Sequence, residues 1–360
     1  MLVYILRRLA SAISVVLVTI VISFGLFFVA PSDPAGMLCG VKCTPARVAE
    51  IEKSLGLDKP TSEQFALYMK GLVVGRTYES GGVTRECPAP CLGFSFKNDQ
   101  PVLGTLIARL PVNLSLVFGA ALIFLITGVT VGSLAAKRPG TTGDRALVGT
   151  TLLMSSVPYY IIAILVFLYL VIQVPILPRP AYVSPLQNPG AWIAGMITPW
   201  LVLGIYSSTS YARYSRGSMI ESLSEDYVRT ARAKGLSDRR VTFVHALRAA
   251  ITPVMTIFGL DVAGLLVSSI FTEKIFGLQG LGITALQSLT NYDLPLIMGT
   301  VIVGAVAARS WPAGRCTVVP ASSSPSPRRW PDAASPRDPC CSPARSRGPQ
   351  LRRSRTWTLR

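Results

Sequence analysis

The chain has 360 residues, of which half are hydrophobic and only 15% are charged, and its mean hydropathy is +0.47. This composition excludes an ordinary soluble domain and indicates a polytopic membrane protein, because so many apolar residues must face lipid as well as a core. The formal net charge of +17 resides in loops and in the C-terminal segment, which indicates membrane topology and no nucleic-acid partner.

The apolar runs predict an all-α integral membrane bundle of five complete transmembrane helices plus a truncated sixth. The first run, residues 9–30, follows Arg7 and Arg8 and is long enough to cross a bilayer. A signal peptide is the alternative, but the run is too long and lacks a small-residue cleavage site. Pro158 falls within the third run and predicts a kink. The remaining spans are residues 110–136, 146–172, 191–212 and 251–271, and a sixth that begins at Leu294.

Basic residues in the short loops predict the orientation, since cytoplasmic loops are enriched in lysine and arginine. Lys137, Arg138 and Arg145 lie between spans two and three, and eight basic residues lie between spans four and five. These loops and the N-terminus are therefore predicted to face the cytoplasm.

Four domains are predicted along the chain. They are an N-terminal anchor (residues 1–30), an extracytoplasmic segment (31–109), a transmembrane core (110–308) that contains a basic loop (213–250), and a basic tail (309–360).

Four cysteines lie in the predicted extracytoplasmic segment, in two pairs whose members are four residues apart. Exported thiols can oxidise, so Cys39, Cys43, Cys87 and Cys91 are predicted to form two disulfides, whose connectivity the spacing leaves open. Zinc suits them less, because the one histidine, His245, is predicted to lie across the membrane, and no metal site is predicted. Four unpaired thiols are the remaining alternative.

The sequence contains no motif for covalent chemistry. It has no Gly-x-x-x-x-Gly-Lys-Ser/Thr loop, so the chain is not expected to bind and split ATP by itself. It also has no Gly-x-Ser-x-Gly elbow, and its one histidine lies in a basic loop, which argues against a serine hydrolase. The sequence therefore predicts a protein that is not an enzyme and binds no cofactor.

The most informative stretch is the basic loop at residues 225–253, EDYVRTARAKGLSDRRVTFVHALRAAITP. Tyr227, Ala231 and Gly235 recur at four-residue spacing, so one helical face would let a partner approach closely. Gly235 is predicted to end this helix, and Asp238 is predicted to cap the next one. The pattern indicates a docking element on the cytoplasmic side of a membrane protein.

This stretch resembles the coupling loop of ABC importer permeases, specifically of the dipeptide and oligopeptide branch, whose version reads very nearly DYVRTARAKGL…HALR…P. Residues 229–231 depart from the Glu-Ala-Ala of the general permease signature, and His245 and Arg248 replace its Ile and Pro, as in the peptide branch itself. The resemblance covers roughly residues 1–306. It implies an ATPase-coupling loop that includes Tyr227, Arg229, Thr230, Ala231, Arg232, Lys234, Gly235, His245 and Leu247.

The resemblance also implies which partner proteins the chain works with. An extracytoplasmic peptide-binding protein would deliver di- or oligopeptides to a multi-pass permease in a bacterial cell membrane, surrounded by lipid. A second homologous permease subunit would complete the passage, and two cytoplasmic ATP-binding subunits would hold ATP and Mg²⁺. Import of nickel chelates or glutathione by the same machinery is one alternative, and a membrane scaffold without transport activity is another.

Asp261 is the one acidic residue placed well inside a predicted span. A lone carboxylate is costly in lipid, so it should face the bundle interior, a water-filled passage or a partner subunit. Two roles are open: a contact for the charged amine of a passing peptide, or a structural partner of a polar group on another helix. Glu273 and Lys274, at the outer end of the same span, are predicted to anchor it at the interface.

The C-terminal segment, residues 309–360, does not fit this architecture. It contains eleven Arg, no Lys, nine Pro and nine Ser, a composition that cannot bury a core and is expected to be disordered. The sixth span breaks off near Ala307, where the permease family would continue it. The abrupt change predicts translation in a wrong reading frame, and a natural low-complexity extension is the alternative.

Overall fold

The computed structural model describes residues 2–29, 35–36, 44–80 and 83–310, and these residues are mostly helical. The helices are, in chain order, α1 Leu2–Phe24, α2 Pro45–Leu55, α3 Thr61–Val74, α4 Val102–Ala136, α5 Thr142–Ser156, α6 Tyr159–Val166, α7 Pro189–Ser224, α8 Asp226–Ala233, α9 Asp238–Arg240, α10 Leu247–Ser268, α11 Ile270–Phe276, α12 Leu281–Thr290 and α13 Leu294–Ser310. π-helical segments occupy Gly25–Val29, Phe167–Gln173 and Val241–Ala246. Two antiparallel hairpins pair β1 Arg76–Ser80 with β2 Val83–Cys87, and β3 Phe94–Ser95 with β4 Gln100–Pro101.

Four helical stretches in the described residues are long and apolar enough to cross a membrane: Leu9–Phe27, Val102–Ala136, Pro189–Ser224 and Asp238–Leu266. The kink predicted at Pro158 is confirmed, because α5 and α6 meet at an angle of 91°. Pro158 lacks an amide proton and forces the preceding Val157 out of the helical region, to a ψ of 126°. If the bent pair forms one span, the described residues contain five.

Helix α13 corresponds to the predicted sixth span. Its 17 residues extend about 26 Å at about 1.5 Å per residue, less than the roughly 30 Å of a hydrocarbon core. Its apolar part is shorter still, Leu294–Val306. Ile302 of α13 shares a buried cluster with Ile20 of α1, so the two helices pack together. Residues 311–360, which make up most of the predicted tail, lie outside the described residues.

Helices α4 and α7 form the centre of the bundle, because glycines let their backbones approach closely. Gly119 lies against the ring of Trp200, and Gly132 lies against the backbone of α7. The Trp200 indole nitrogen donates a hydrogen bond to the Ser115 carbonyl oxygen at 2.8 Å. Small residues at a crossing are a common means of packing membrane helices. The α4–α7 pair therefore provides a firm base for α8, which directly follows α7.

The segment before the bundle, whose described residues are 44–80 and 83–101, contains a helix at Pro45–Leu55. Tyr78 and Phe94 of this segment share a buried cluster with Leu294 at the start of α13. Helix α4 begins at Val102, so the predicted domain boundary at residue 110 falls inside a helix. This segment is therefore joined to the bundle both by packing and by a continuous helix.

Candidate functional site

Helix α8 is seated on the bundle by two small apolar side chains. Val228 is fully buried, at 0% exposure, and Ala231 is nearly so, at 8%. Both belong to a buried cluster with Met219 of α7 and with Val241 and Ala246 of the following π-helical segment. Because its apolar residues lie on this one face, α8 rests on the bundle as an amphipathic helix. Its position consequently depends on those of α7 and α10.

The opposite face of α8 and the turn that follows are exposed and polar. The predicted coupling residues exposed there are Tyr227, Arg229, Thr230, Arg232, Lys234 and Gly235. The prediction that Ala231 offers a docking surface to a partner is wrong, because its side chain packs on its own bundle. The small residue that α8 exposes is Ala233. The predicted grouping of Tyr227 with Ala231 on one face is also wrong, because Tyr227 is exposed and the inward face is formed by Val228 and Ala231.

A tight turn at Gly235 ends α8, as predicted. Gly235 has a φ of +76°, in the left-handed region that favours glycine, and its amide donates to the Arg232 carbonyl at 2.9 Å. The prediction that Asp238 caps the next helix is off by one residue, because Asp238 is already helical and Ser237 occupies the cap position with an extended backbone. Asp238 remains in the first turn, where a negative charge is favourable.

Two of the predicted coupling residues lie outside the exposed face of α8. Leu247 packs against the buried cluster beneath α8. His245 is partly buried in the π-helical segment Val241–Ala246. The predicted coupling loop therefore consists of an exposed set on α8 and its turn, and a supporting set beneath.

Two contacts connect the elements around α8: one joins α7 to α5, and the other joins the end of α4 to the π-helical segment that supports α8. Arg216 of α7 forms a bidentate ion pair with Asp144 of α5, whose second hydrogen bond spans 2.6 Å between Nη2 and Oδ2. Asp144 also accepts a hydrogen bond from the Gly140 amide at 2.8 Å. The Lys137 ammonium lies 4.7 Å above the centre of the Phe243 ring. Fixed bidentate geometry makes the first contact the more restrictive of the two.

Asp261, well inside α10, is exposed on the surface of the single chain. Its carboxylate accepts a hydrogen bond from the hydroxyl of Tyr211 on α7 at 2.7 Å, so a polar group on another helix does contact it. The two side chains line a cavity of about 310 Å³, together with Tyr206, Ser207 and Ser210. Polar side chains at this depth of a span commonly mark a transport path.

Glu273 forms a buried polar centre that the sequence did not reveal. The prediction that it anchors a span at the interface is wrong, because its side chain is 0% exposed. Its carboxyl oxygens accept hydrogen bonds from the amides of Gly282, at 3.2 Å, and Ile283, at 2.7 Å, in the first turn of α12. The Ser269 hydroxyl donates to Glu273 and accepts from the Asn113 side chain of α4. This network ties α4, α11 and α12 together.

Cys87 and Cys91 are joined by a disulfide. Both sulfurs are buried in the cluster that contains Tyr78 and Phe94. Cys39 and Cys43 lie outside the described residues, so the second predicted disulfide stays a prediction. In the part of the chain that the structure describes, no group of three or more His, Cys, Asp or Glu side chains is arranged to hold a metal ion.

Comparison with known proteins identifies the family. Residues 1–117 match the N-terminal region of binding-protein-dependent transport system membrane components, and residues 128–308 match the family described as binding-protein-dependent transport system inner membrane component. The chain belongs to this family, and the resemblance found in its basic loop is confirmed. Together with its apolar helices, the family makes the chain a multi-pass protein of the plasma membrane.

Similar proteins carry more specific names. A probable peptide ABC transporter permease protein of Sinorhizobium fredii is 35% identical over 301 residues, which cover 84% of this chain and 91% of the relative. A putative peptide transport system permease protein of Brucella abortus is 34% identical over 298 residues, covering 83% and 90%. The dipeptide transport system permease protein of Escherichia coli is 33% identical over 327 residues, covering 84% and 92%.

Proposed function

We propose that this chain is a permease subunit of an ATP-binding-cassette importer that moves di- or oligopeptides across the membrane. The observation that carries the proposal is the exposed polar face of α8, seated by Val228 and Ala231 on the α4–α7 centre of the bundle. The names of the three similar proteins support peptides as the cargo. ATP and Mg²⁺ belong to partner subunits in this proposal, and this chain binds no cofactor.

In the proposed orientation, the N-terminus and α8 lie in the cytoplasm and residues 31–109 lie outside. The basic loops on the α8 side of the bundle support this assignment. The Cys87–Cys91 disulfide supports it as well, because disulfides persist outside the reducing cytoplasm. The spans are then α1, α4, the bent α5–α6 pair, α7 and α10, with α13 as a truncated sixth.

Two cytoplasmic ATPase subunits, one for each permease, would push on α8 when they close on ATP. Because Val228 and Ala231 are buried against α7 and the π-helical segment, α8 cannot slide without moving the spans beneath it. The motion is transmitted to α7 and α10 as a rigid-body change between two packed states. The ion pair between Arg216 and Asp144 carries the same motion to α5.

Asp261 and Tyr211 would line the path at the boundary with a second homologous permease. A carboxylate exposed to lipid is costly, so a second subunit or a water-filled passage must cover this surface. A peptide delivered by an extracytoplasmic binding protein would pass this cavity, where Asp261 can contact its charged amine. The hydrogen bond from Tyr211 holds the carboxylate in place.

Replacing Ala233 with tryptophan tests the docking face. We expect ATP-driven peptide uptake by the complete reconstituted importer to fall at least about tenfold, because an indole on this exposed face blocks the ATPase subunit. Val228 and Ala231 still seat the helix, so the amount of chain in the membrane should not change. Uptake of a labelled dipeptide and ATP hydrolysis would be measured together.

The matched control is Ala66→Trp, which changes an exposed alanine of α3 at the opposite end of the proposed topology and should leave uptake unchanged. Wild-type uptake by the Ala233→Trp variant would contradict the docking role of α8. Uptake of nickel chelates or glutathione without uptake of peptide would contradict the proposed cargo.

Gly235 offers a second test of coupling. A leucine at a φ of +76° is strained by about 1–2 kcal/mol, so Gly235→Leu should reorient the turn and lower the number of peptides imported per ATP hydrolysed. A Cβ at this position meets no atom within 4 Å, so crowding within the chain is not the cause. Gly235→Asn, which tolerates this conformation better, should stay coupled. Equal coupling ratios for the wild type and both variants would refute this role.

A further inference from the structure

A second polar cavity, of about 270 Å³, lies at the end of the bundle that carries the hairpins. It is lined by residues from the β3–β4 hairpin, the first turns of α4, helix α12, the turn before α13 and the start of α13. Leu296 is the one apolar residue among those described as lining it. The volume is too small for a whole oligopeptide and suits one terminal group of a ligand.

Two of the three charged side chains that line this cavity, Lys97 and Asp293, have hydrogen-bond partners within the chain. Lys97 donates a hydrogen bond to the Asn291 carbonyl. The Asp293 carboxyl is almost fully buried and accepts from the Ser95 hydroxyl and, at 3.4 Å, from the Leu296 amide. Both groups are therefore engaged within the chain.

Arg109, on α4, differs from Lys97 and Asp293 in having no partner within the described part of the chain. Its side chain lines the cavity and, within the described residues, has neither a hydrogen-bond acceptor nor an acidic partner. Arg109 as a whole is half-buried. Its fork of donors matches a carboxylate in bidentate geometry. Thr105 on α4 and Gln287 on α12 add uncharged hydrogen-bonding groups to the same cavity.

We infer that this cavity binds the C-terminal carboxylate of a peptide that enters the importer, with Arg109 as the principal ligand. This inference rests on the proposed function and adds a recognition site on the outer side, separate from the Asp261 cavity deeper in the bundle. The carboxylate accepts two hydrogen bonds from Arg109, and the neighbouring amide side chains pair with the last peptide group. The site would favour peptides with a free C-terminus.

The test compares a labelled tripeptide with its C-terminal amide, using the complete importer and its binding protein in liposomes. For Arg109→Gln we expect initial uptake of the free acid to fall about tenfold, the loss of one charge-assisted contact. Uptake of the amide should change by less than about twofold. The same binding protein is used with the unsubstituted and the Arg109→Gln importer. Its own preference for acid or amide therefore does not affect the comparison between them. Arg109→Lys should recover part of the uptake of the free acid.

Lys70→Gln is the charge-matched control, since Lys70 is exposed on α3 and lines a different cleft, and it should alter neither peptide's uptake. If the Arg109→Gln complex is not recovered from membranes, Gln287→Ala, at an exposed position, replaces it and should produce a smaller loss confined to the free acid. Equal changes for acid and amide overturn the inference in either variant.

An anionic lipid headgroup is the other source of such an anion. Liposomes of phosphatidylcholine with and without phosphatidylglycerol separate the two sources. Stimulation by phosphatidylglycerol that Arg109→Gln abolishes, with unchanged selectivity between acid and amide, would assign the cavity to lipid and overturn the peptide site. Failure of the unsubstituted importer to take up either peptide would instead refute the proposed function itself.

Discussion

Replacing Gly132 with valine is expected to remove the chain from the membrane fraction. A Cβ at Gly132 would collide with the Ala212 carbonyl oxygen and lie 3.0 Å from the Arg216 amide nitrogen. Backbone atoms cannot rotate away as a side chain can, so α4 and α7 must separate at the centre of the bundle. We expect a cost of about 3 kcal/mol or more, a large part of the stability of a typical protein. Chain abundance in membranes and the Tm of the purified complex measure the effect.

Gly149→Val is the matched control. A Cβ at Gly149, in α5, meets no atom within 4 Å, and valine is a somewhat better helix former than glycine. Abundance and Tm should therefore match those of the unsubstituted chain. If Gly132→Val also behaves as the unsubstituted chain, the close crossing of α4 and α7 is refuted, and with it the firm base proposed for α8.

Replacing Glu273 with alanine is expected to loosen α12 and to abolish transport. The substitution leaves the amides of Gly282 and Ile283 and the hydroxyl of Ser269 without their acceptor in a buried site. Buried donors without a partner cost about 1–3 kcal/mol each, so we expect a loss of stability of about 3 kcal/mol or more. Thermal unfolding of the purified complex and proteolysis within α12 would report the change.

Lys274→Ala is the internal control, because Lys274 is the adjacent residue and its side chain is exposed. It should leave the Tm and transport unchanged. If Glu273 instead anchored the chain at the membrane interface, as its sequence context predicted, both alanine variants would produce small and similar effects. That outcome would contradict the buried network between α4, α11 and α12.

Some features of the coupling loop could be predicted from the sequence and others could not. The sequence of residues 225–253 was enough to predict the family and the helix end at Gly235, since both depend on residues that are adjacent in the chain. The inward direction of Ala231 was not readable, because it depends on contacts with Met219 and Val241. Periodicity predicts that one helical face is distinct, but it does not say against what that face packs.

The same limit applies to the third span and to Glu273. Pro158 predicted a kink from local geometry alone, but the 91° angle between α5 and α6 depends on what surrounds them. Glu273 follows an apolar stretch and was therefore predicted to lie at the membrane interface. The sequence did not show that free backbone amides at the start of α12 and the Asn113 side chain would surround it. A buried carboxyl is recognised by its partners, and partners are a tertiary property.

The sequence was sufficient to predict a helical membrane protein related to importer permeases. Hydropathy, basic loops and a contiguous motif are local properties, and each is legible without a fold. The exposed face of α8, the burial of Glu273 and exposure of Asp261, and the cavity beside Arg109 became known from the three-dimensional packing. Burial and hydrogen-bond partners arise from residues distant in the chain, such as Asn113 and Ser269, and no local pattern specifies them.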